Sequence, residues 1–235
     1  MKKEAILNLQ NLYNYYASHP ESSWITNPDN APSLYKFVQK NNPKKILDLG
    51  TGIGCTAAII SLALKSKKIE DFEIHTVEQF QKCVDIAQKI IPKILKENIT
   101  FHLTEAVPWS TEHIPYHYFN TYKKLPKIDW DFIFVDGPGG FTENEKYVDV
   151  PRGDVIKMLL DDDIKPGTFV TFDRSIPTLK IVERYFSDNF YFIPTENTVF
   201  NVLERKDNKV KCVDEAFEAM KKYGYFKGTV TASAS

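Results

Sequence analysis

The chain is poor in cysteine, has no long apolar run and carries no excess of charge. Its three cysteines, Cys55, Cys83 and Cys212, stand far apart in 235 residues and form no C-x-x-C pair. That spacing offers neither a disulfide framework nor a zinc site. No apolar run approaches the ~20 residues that span a bilayer, and the first ten residues lack the apolar core and cleavage site of a leader. Lys and Arg number 30 against 31 Asp and Glu, so nothing like a nucleic-acid-binding stripe is expected. These absences point away from membrane, nucleic-acid-binding and disulfide-rich secreted proteins. They leave a soluble protein of a reducing, cytoplasmic compartment. With 43% hydrophobic and 13% aromatic residues, the chain can bury one sizeable core, and its aromatics can serve a pocket or a homodimer interface.

Periodicity supplies the order of elements. Ile6, Leu9, Leu12, Tyr13 and Tyr16 predict a helix within residues 4–18, and a loop with Pro20, Pro28 and Pro32 precedes another at 33–39. From residue 44, strands at 44–49, 72–77, 99–103, 131–135 and 168–172 alternate with helices at 56–65, 80–94, around 156–160 and 179–186. Segments 190–193 and 199–204 fit an antiparallel closing pair. The expected fold is α/β: a Rossmann-like, doubly wound, mostly parallel seven-stranded sheet with an antiparallel closing strand and helices on both faces. In this reading residues 1–42 cover the ligand sites and 43–205 form the core. Within the core, an aromatic and histidine-rich insertion at 108–127 acts as a lid. Residues 206–235 add an amphipathic helix near 213–223 and a mobile tail from 227, within a single domain.

The most informative stretch runs from Lys45 to Ile60, Lys-Ile-Leu-Asp-Leu-Gly-Thr-Gly-Ile-Gly-Cys-Thr-Ala-Ala-Ile-Ile. A buried strand ends at Leu49, a turn carries Gly50, Gly52 and Gly54, and an apolar helix follows. Alternating glycines allow a sharp turn and let a ligand lie against bare amides at a helix N-terminus. Cys55 occupies the last glycine position of the dinucleotide fingerprint, which weakens a nicotinamide reading. Ligands in open α/β sheets sit beyond the carboxyl ends of the strands. Those ends read Asp48 with Gly50, Thr51, Gly52 and Gly54; Glu78-Gln79; Glu105-Ala106; Asp136-Gly-Pro-Gly-Gly140; and Asp173-Arg174. Each has a bland alternative as a tight turn, a solvated carboxylate or a loop cap. Their order along five successive strands is what a purely structural reading leaves unexplained.

Asp48 with the G-x-G-x-G turn resembles motif I of the class I S-adenosylmethionine-dependent methyltransferases, and the likeness extends over about 43–205. Asp131-Phe-Ile-Phe-Val-Asp-Gly-Pro-Gly-Gly140 is similar to the V-D-G-P-x-G loop of small-molecule members. The N-P-P-Y or D-P-P-Y signature of nucleobase and protein-amide methyltransferases is absent. The resemblance implies S-adenosylmethionine as cofactor, with Asp48, Gly50, Thr51, Gly52, Gly54, Glu78, Gln79, Glu105, Ala106 and Asp136 around it. Glu78 would address the ribose hydroxyls, and Glu105 and Ala106 would stand beside the adenine. The implied activity is methylation of an oxygen on a small hydroxylated metabolite. Alternatives on the same fold are aminopropyl transfer of the spermidine-synthase type and a non-catalytic cofactor-binding module.

Asp136 and Asp173 match two of the three metal ligands of catechol-type O-methyltransferases, which the strand ends also resemble. The third ligand there is Asn, and Arg174 stands in its place. A guanidinium repels a cation, so no metal is expected. Asp136, Asp173 and Arg174 are then the catalytic candidates, Arg174 supplying positive charge to a substrate anion or developing alkoxide. His113 and His117 are i, i+4, with Pro115 between them arguing against a regular helix. They read as lid residues, one a candidate general base. Trp24 with Ser22, Ser23 and Thr26 could close the cofactor site, whereas Arg152 and Asp154 read as surface pairs.

Overall fold

The computed structural model describes residues 8–115, 117–139, 142–143, 146–147, 150–173, 175–195 and 200–210. The C-terminal helix and tail expected beyond 212, with Cys212 itself and Arg174, lie outside the described residues. Along the chain run α1 (Leu9–Ala17), α2 (Asn30–Asn41), β1 (Lys45–Leu49), α3 (Cys55–Ser66), β2 (Glu73–Glu78), α4 (Gln81–Ile90), α5 (Lys93–Lys96) and β3 (Ile99–Leu103). Then follow β4 (Ala106–Trp109), β5 (Phe119–Tyr122), β6 (Phe132–Val135), the two-residue strands β7 (Thr142–Glu143) and β8 (Lys146–Tyr147), and α6 (Asp154–Leu160). The last are β9 (Phe169–Phe172), α7 (Ile176–Phe186), β10 (Phe190–Ile193) and β11 (Asn201–Arg205).

Seven strands form one sheet in the order β10-β11-β9-β6-β1-β2-β3. Only β11 runs against its neighbours β9 and β10; the other pairings are parallel. Period-2 alternation divides the core between the two faces. Ile46, Ile74, Phe132 and Phe134 pack with α1, α2 and α3, while Leu47, Leu49, Val77, Ile133 and Val135 pack with α6 and α7. α3 is buried continuously from Cys55 to Leu64, which explains why its sequence shows no polar face. Leu49 pairs with both Val77 and Val135, and Val135 with Phe172. Four strand ends are therefore level, and the loops after β1, β2, β6 and β9 leave the sheet at one edge.

Two elements differ from expectation. The single helix expected at 80–94 is two, α4 and α5, because Pro92 lacks an N–H and forces Ile91 out of helical geometry (φ −59°, ψ 125°). The insertion at 108–127 contains β5, which pairs antiparallel with β4. Phe119, Asn120, Thr121 and Tyr122 are all buried, and the hairpin lies so close to the start of α6 that a Cβ on Gly153 would meet Phe119 at 2.6 Å.

Candidate active site

The loop after β1 is built by close approach of three chain segments. A Cβ at Gly50 (φ +104°) would lie 2.6 Å from the amide nitrogen of Gly137, and one at Gly52 (φ +50°) 2.2 Å from the carbonyl oxygen of Trp24. Only glycine fits either position. The loop amides are not bare, as the glycine pattern suggested. Gly50 and Thr51 N–H donate to Val77 O, Ile53 to Trp24 O and Gly54 to Thr51 O, and Gly52 donates to Glu78 Oε2 at 2.9 Å. The turn satisfies its own donors, so a ligand meets the glycine Cα surface instead.

Glu78 ends β2 and ties this loop to the next. Its Oε1 accepts from the N–H groups of Gln79 (2.8 Å) and Phe80 (3.1 Å). Burial pushes its carboxyl above the usual range, against the pull of these three backbone donors. Asp48 lies beneath the loop, fully buried. Its Oδ2 accepts from Thr76 Oγ1 at 2.8 Å, and Thr76 Oγ1 lies 2.6 Å from Thr51 Oγ1. Burial raises the Asp48 pKa to about 8, making it a neutral hydrogen-bonded acid that props the loop from below.

The loop after β6 folds over the first. Asp136 and Gly137 N–H both donate to Leu49 O, Asn120 Nδ2 donates to Gly139 O at 3.0 Å, and Arg152 Nε donates to Asp136 O at 2.8 Å. Between the loops lies a cleft of about 350 Å³. Gly50, Gly52, Glu78 and Phe80 line it from the first two strand ends; Asp136, Gly137 and Gly139 from the third; Tyr122 and Arg152 from β5 and the segment before α6; and Ser23, Trp24 and Ile25 from the N-terminal cover. The Trp24 and Phe80 rings meet edge-on at 6.0 Å. Tyr122 is buried, and burial holds its phenol well above its ordinary range, so it stays a neutral hydroxyl. A larger depression of about 920 Å³ along Lys123–Trp130 and the end of α6 is lined by interspersed Lys and Asp and contains none of the glycine loops.

Asp173 does not line this cleft. It is 1% exposed, and both oxygens are taken by the N-terminal cover: Oδ2 by Thr26 Oγ1 (2.6 Å) and Asn27 N–H (3.2 Å), Oδ1 by Asn30 Nδ2 (2.5 Å). It anchors the strap that carries Trp24. Glu105 points to the surface and pairs with Lys123 at 2.8 Å, and Ala106 opens the β4 edge of the hairpin. Gln79 is half-buried beside the cleft, its Oε1 buried without a hydrogen-bond partner among the described residues. His113 lies exposed at a separate depression with Leu160 and Asp162, and His117 packs against Phe119 and Tyr185. Neither histidine reaches the cleft.

Arg152 and Asp154, read from sequence as surface pairs, are 5% and 1% exposed. Asp154 Oδ1 accepts from Tyr122 N–H at 2.9 Å, and burial raises its pKa to about 8. Tyr122 carried no signal beyond belonging to an aromatic insertion. Among the described residues no three His, Cys, Asp or Glu form a group able to hold a metal ion, and no helix is long and apolar enough to cross a membrane.

Comparison with known proteins bears on this edge of the sheet. No protein-family model matches the chain. The chain resembles an S-adenosylhomocysteine-bound methyltransferase of Podospora anserina with a TM-score of 0.52 and 12% identity, covering 85% of this chain and 88% of that one. It also resembles TomG of Streptomyces achromogenes, an O-methyltransferase of tomaymycin synthesis in complex with S-adenosylmethionine. There the TM-score is 0.52 at 15% identity, covering 83% and 89% of the two chains. The chain has the fold of the class I S-adenosylmethionine-dependent methyltransferases. A curated protein-L-isoaspartate O-methyltransferase of Methanocella arvoryzae is 19% identical over 151 residues, 64% of this chain and 74% of the relative. The methyltransferase fold accounts for the seven-strand order and for the clustering of Gly50, Glu78 and Asp136 at one edge.

Proposed function

We propose that the cleft binds S-adenosylmethionine and methylates an oxygen of a small hydroxylated metabolite. One observation carries this reading: the glycine loop, the Glu78 carboxylate and Asp136 line a single cleft at the level ends of β1, β2 and β6. The residues present suit the cofactor. A volume of about 350 Å³ lies in the range of small-molecule sites. Glu78 would hold the ribose hydroxyls, the faces of Phe80 and Trp24 would take the apolar parts, and the glycines admit close contact. When bound, the cofactor supplies an electrophilic methyl group on a sulfonium.

The chain's own contribution is alignment and proton removal. Asp136 stands in the cleft to take the proton that the acceptor hydroxyl loses as its oxygen forms the new bond to carbon. Arg152, with Nε on the Asp136 carbonyl, keeps that loop in place. Asp173 contributes through the strap, holding Trp24 against the glycine turn. The aminopropyl alternative is less well supported, since the described residues ahead of β1 form helices and not a β domain.

The test is transfer of labelled methyl from S-adenosylmethionine to a panel of phenols, enols and amines. Transfer to hydroxyl acceptors that falls about 100-fold or more in Asp136→Asn, with S-adenosylhomocysteine affinity intact, supports the reading. Transfer to amines alone, or full turnover in Asp136→Asn, contradicts it.

A further inference from the structure

Among the described residues, the β4–β5 hairpin sends one side chain into the cleft, Tyr122. Its place is set from several sides. Tyr122 pairs with Ala106 across the hairpin, its N–H donates to Asp154 Oδ1 at 2.9 Å, and its ring is buried in the apolar cluster on the α6 and α7 face of the sheet. A Cβ on Gly137 would meet Tyr122 Oη at 2.5 Å and Gly50 Cα at 2.7 Å. The hydroxyl therefore lies against the seam where the loops after β1 and β6 touch. It makes no hydrogen bond among the described residues, yet unlike Tyr16 Oη it is not shut in by protein. A phenol with its body in the core and an unbonded tip at a cleft wall is built to hydrogen-bond a ligand.

Gly137 follows Asp136 directly in the chain, and both line the cleft. The phenol and the carboxylate assigned as base thus border the same part of it, whereas Glu78 stands two strands away at the end of β2. Burial holds the phenol protonated, so it is a donor and not a second base. An attacking hydroxyl oxygen has four directions to fill: its own carbon, the proton that leaves, and two lone pairs. Resting on the methyltransferase reading, we propose that Tyr122 is a further catalytic residue, its hydroxyl donating a hydrogen bond to one lone pair of the acceptor oxygen. The other lone pair is then left to face the methyl carbon. The acceptor's proton passes to the Asp136 carboxylate as its oxygen bonds to that carbon, and the carbon–sulfur electron pair leaves on sulfur. Tyr122 keeps its own proton throughout, and its bond to the acceptor oxygen strengthens as negative charge develops there.

The test measures methyl transfer from S-adenosylmethionine to 4-methoxyphenol, phenol and 4-nitrophenol, together with calorimetric Kd for S-adenosylhomocysteine. It is run on wild type and Tyr122→Phe, a substitution that keeps the buried ring. The expected result is a kcat about 10- to 100-fold lower in Tyr122→Phe, with Kd within about twofold of wild type. The loss should be greatest with 4-methoxyphenol and least with 4-nitrophenol, since the hydrogen bond counts most on the more basic oxygen. Undiminished kcat overturns the proposal. An equal loss with all the phenols also overturns it, by making Tyr122 a prop of the loop at Gly137. A rise in Kd of about tenfold or more overturns it too, by placing the hydroxyl on the cofactor. Two failures register in wild type before the substitution is read. Binding of S-adenosylhomocysteine without transfer to any of the phenols overturns this proposal and the hydroxyl-acceptor reading, and absence of binding overturns the methyltransferase reading as a whole.

Discussion

Gly52→Ala isolates the joint between the glycine turn and the N-terminal strap. The new Cβ would start 2.2 Å from the Trp24 carbonyl oxygen and needs at least 3.0 Å, so the strap must retreat by about 0.8 Å, the difference of those distances. The hydrogen bond from Ile53 N–H to that oxygen is already 3.2 Å long and does not survive the retreat, a loss of about 1 kcal/mol. Holding alanine at φ +50° adds about 1 kcal/mol. The sum, about 2 kcal/mol, corresponds to about 30-fold in an equilibrium constant. Because Trp24 lines the cleft, the account places that loss in ligand binding: calorimetric Kd for S-adenosylhomocysteine rises about 30-fold. Gly167→Ala is the control, since Gly167 has φ +83° with nothing within 4 Å of its Cβ position. It carries the backbone strain alone and should lower Tm by about 2–4 °C with Kd unchanged. Wild-type binding by Gly52→Ala, or an equal loss in Gly167→Ala, would refute the reasoning.

Asp173→Ala leaves three donors of the strap without their carboxylate and should cost about 3 kcal/mol in urea unfolding. By contrast, Asp173→Asn should keep the wild-type pH profile of methyl transfer; a shifted profile would return Asp173 to the chemistry. Asp48 and Asp154 have folded pKa values raised to about 8, far above those of an unfolded chain. The folded state therefore holds extra protons, and the stability these groups confer is fully present below about pH 4. It is lost as pH rises toward 8, with a slope of at most about 1.4 kcal/mol per pH unit for each group. Asp48→Asn and Asp154→Asn should each flatten that slope in chemical denaturation between pH 5 and 8, and an unchanged slope would mean the carboxyls are not buried as described. Replacing His113 and His117 together by Ala should change kcat less than about threefold, because neither ring lines the cleft; a loss on the scale of a missing general base, about 100-fold, would contradict their placement.

What was legible in the sequence was local. β1, its glycine turn and α3 are contiguous, so the apolar runs and glycine spacing between Lys45 and Ile60 carry their geometry directly; the other strands of the seven-stranded sheet announce themselves as short apolar runs, whereas β4 and β5 do not. The positions that complete the site are joined across long separations and leave no local trace. Thr26 and Asp173 are 147 residues apart, and Asp173, at a strand end that matches a metal-ligand position of catechol-type O-methyltransferases, reads as catalytic from sequence, whereas its oxygens are taken by the N-terminal cover. Arg152 stands in a polar stretch and reads as surface, whereas its burial depends on Asn120 of the hairpin and Thr178 of α7. The i, i+4 histidines suggested a shared face, but Pro115 and the packing of Phe119 send them to different neighbours. Pro92 was a visible break in the helix expected at 80–94, and it set the boundary between α4 and α5.

The most direct test of the central claim is calorimetric titration of the wild type and Glu78→Gln with S-adenosylhomocysteine and, in parallel, with NAD. The account predicts binding of S-adenosylhomocysteine and not NAD, weakened about tenfold or more in Glu78→Gln, where one acceptor oxygen and the charge are lost. Binding of NAD instead, or of neither ligand, would contradict it, and the roles given to Asp136 and Arg152 would fall with it.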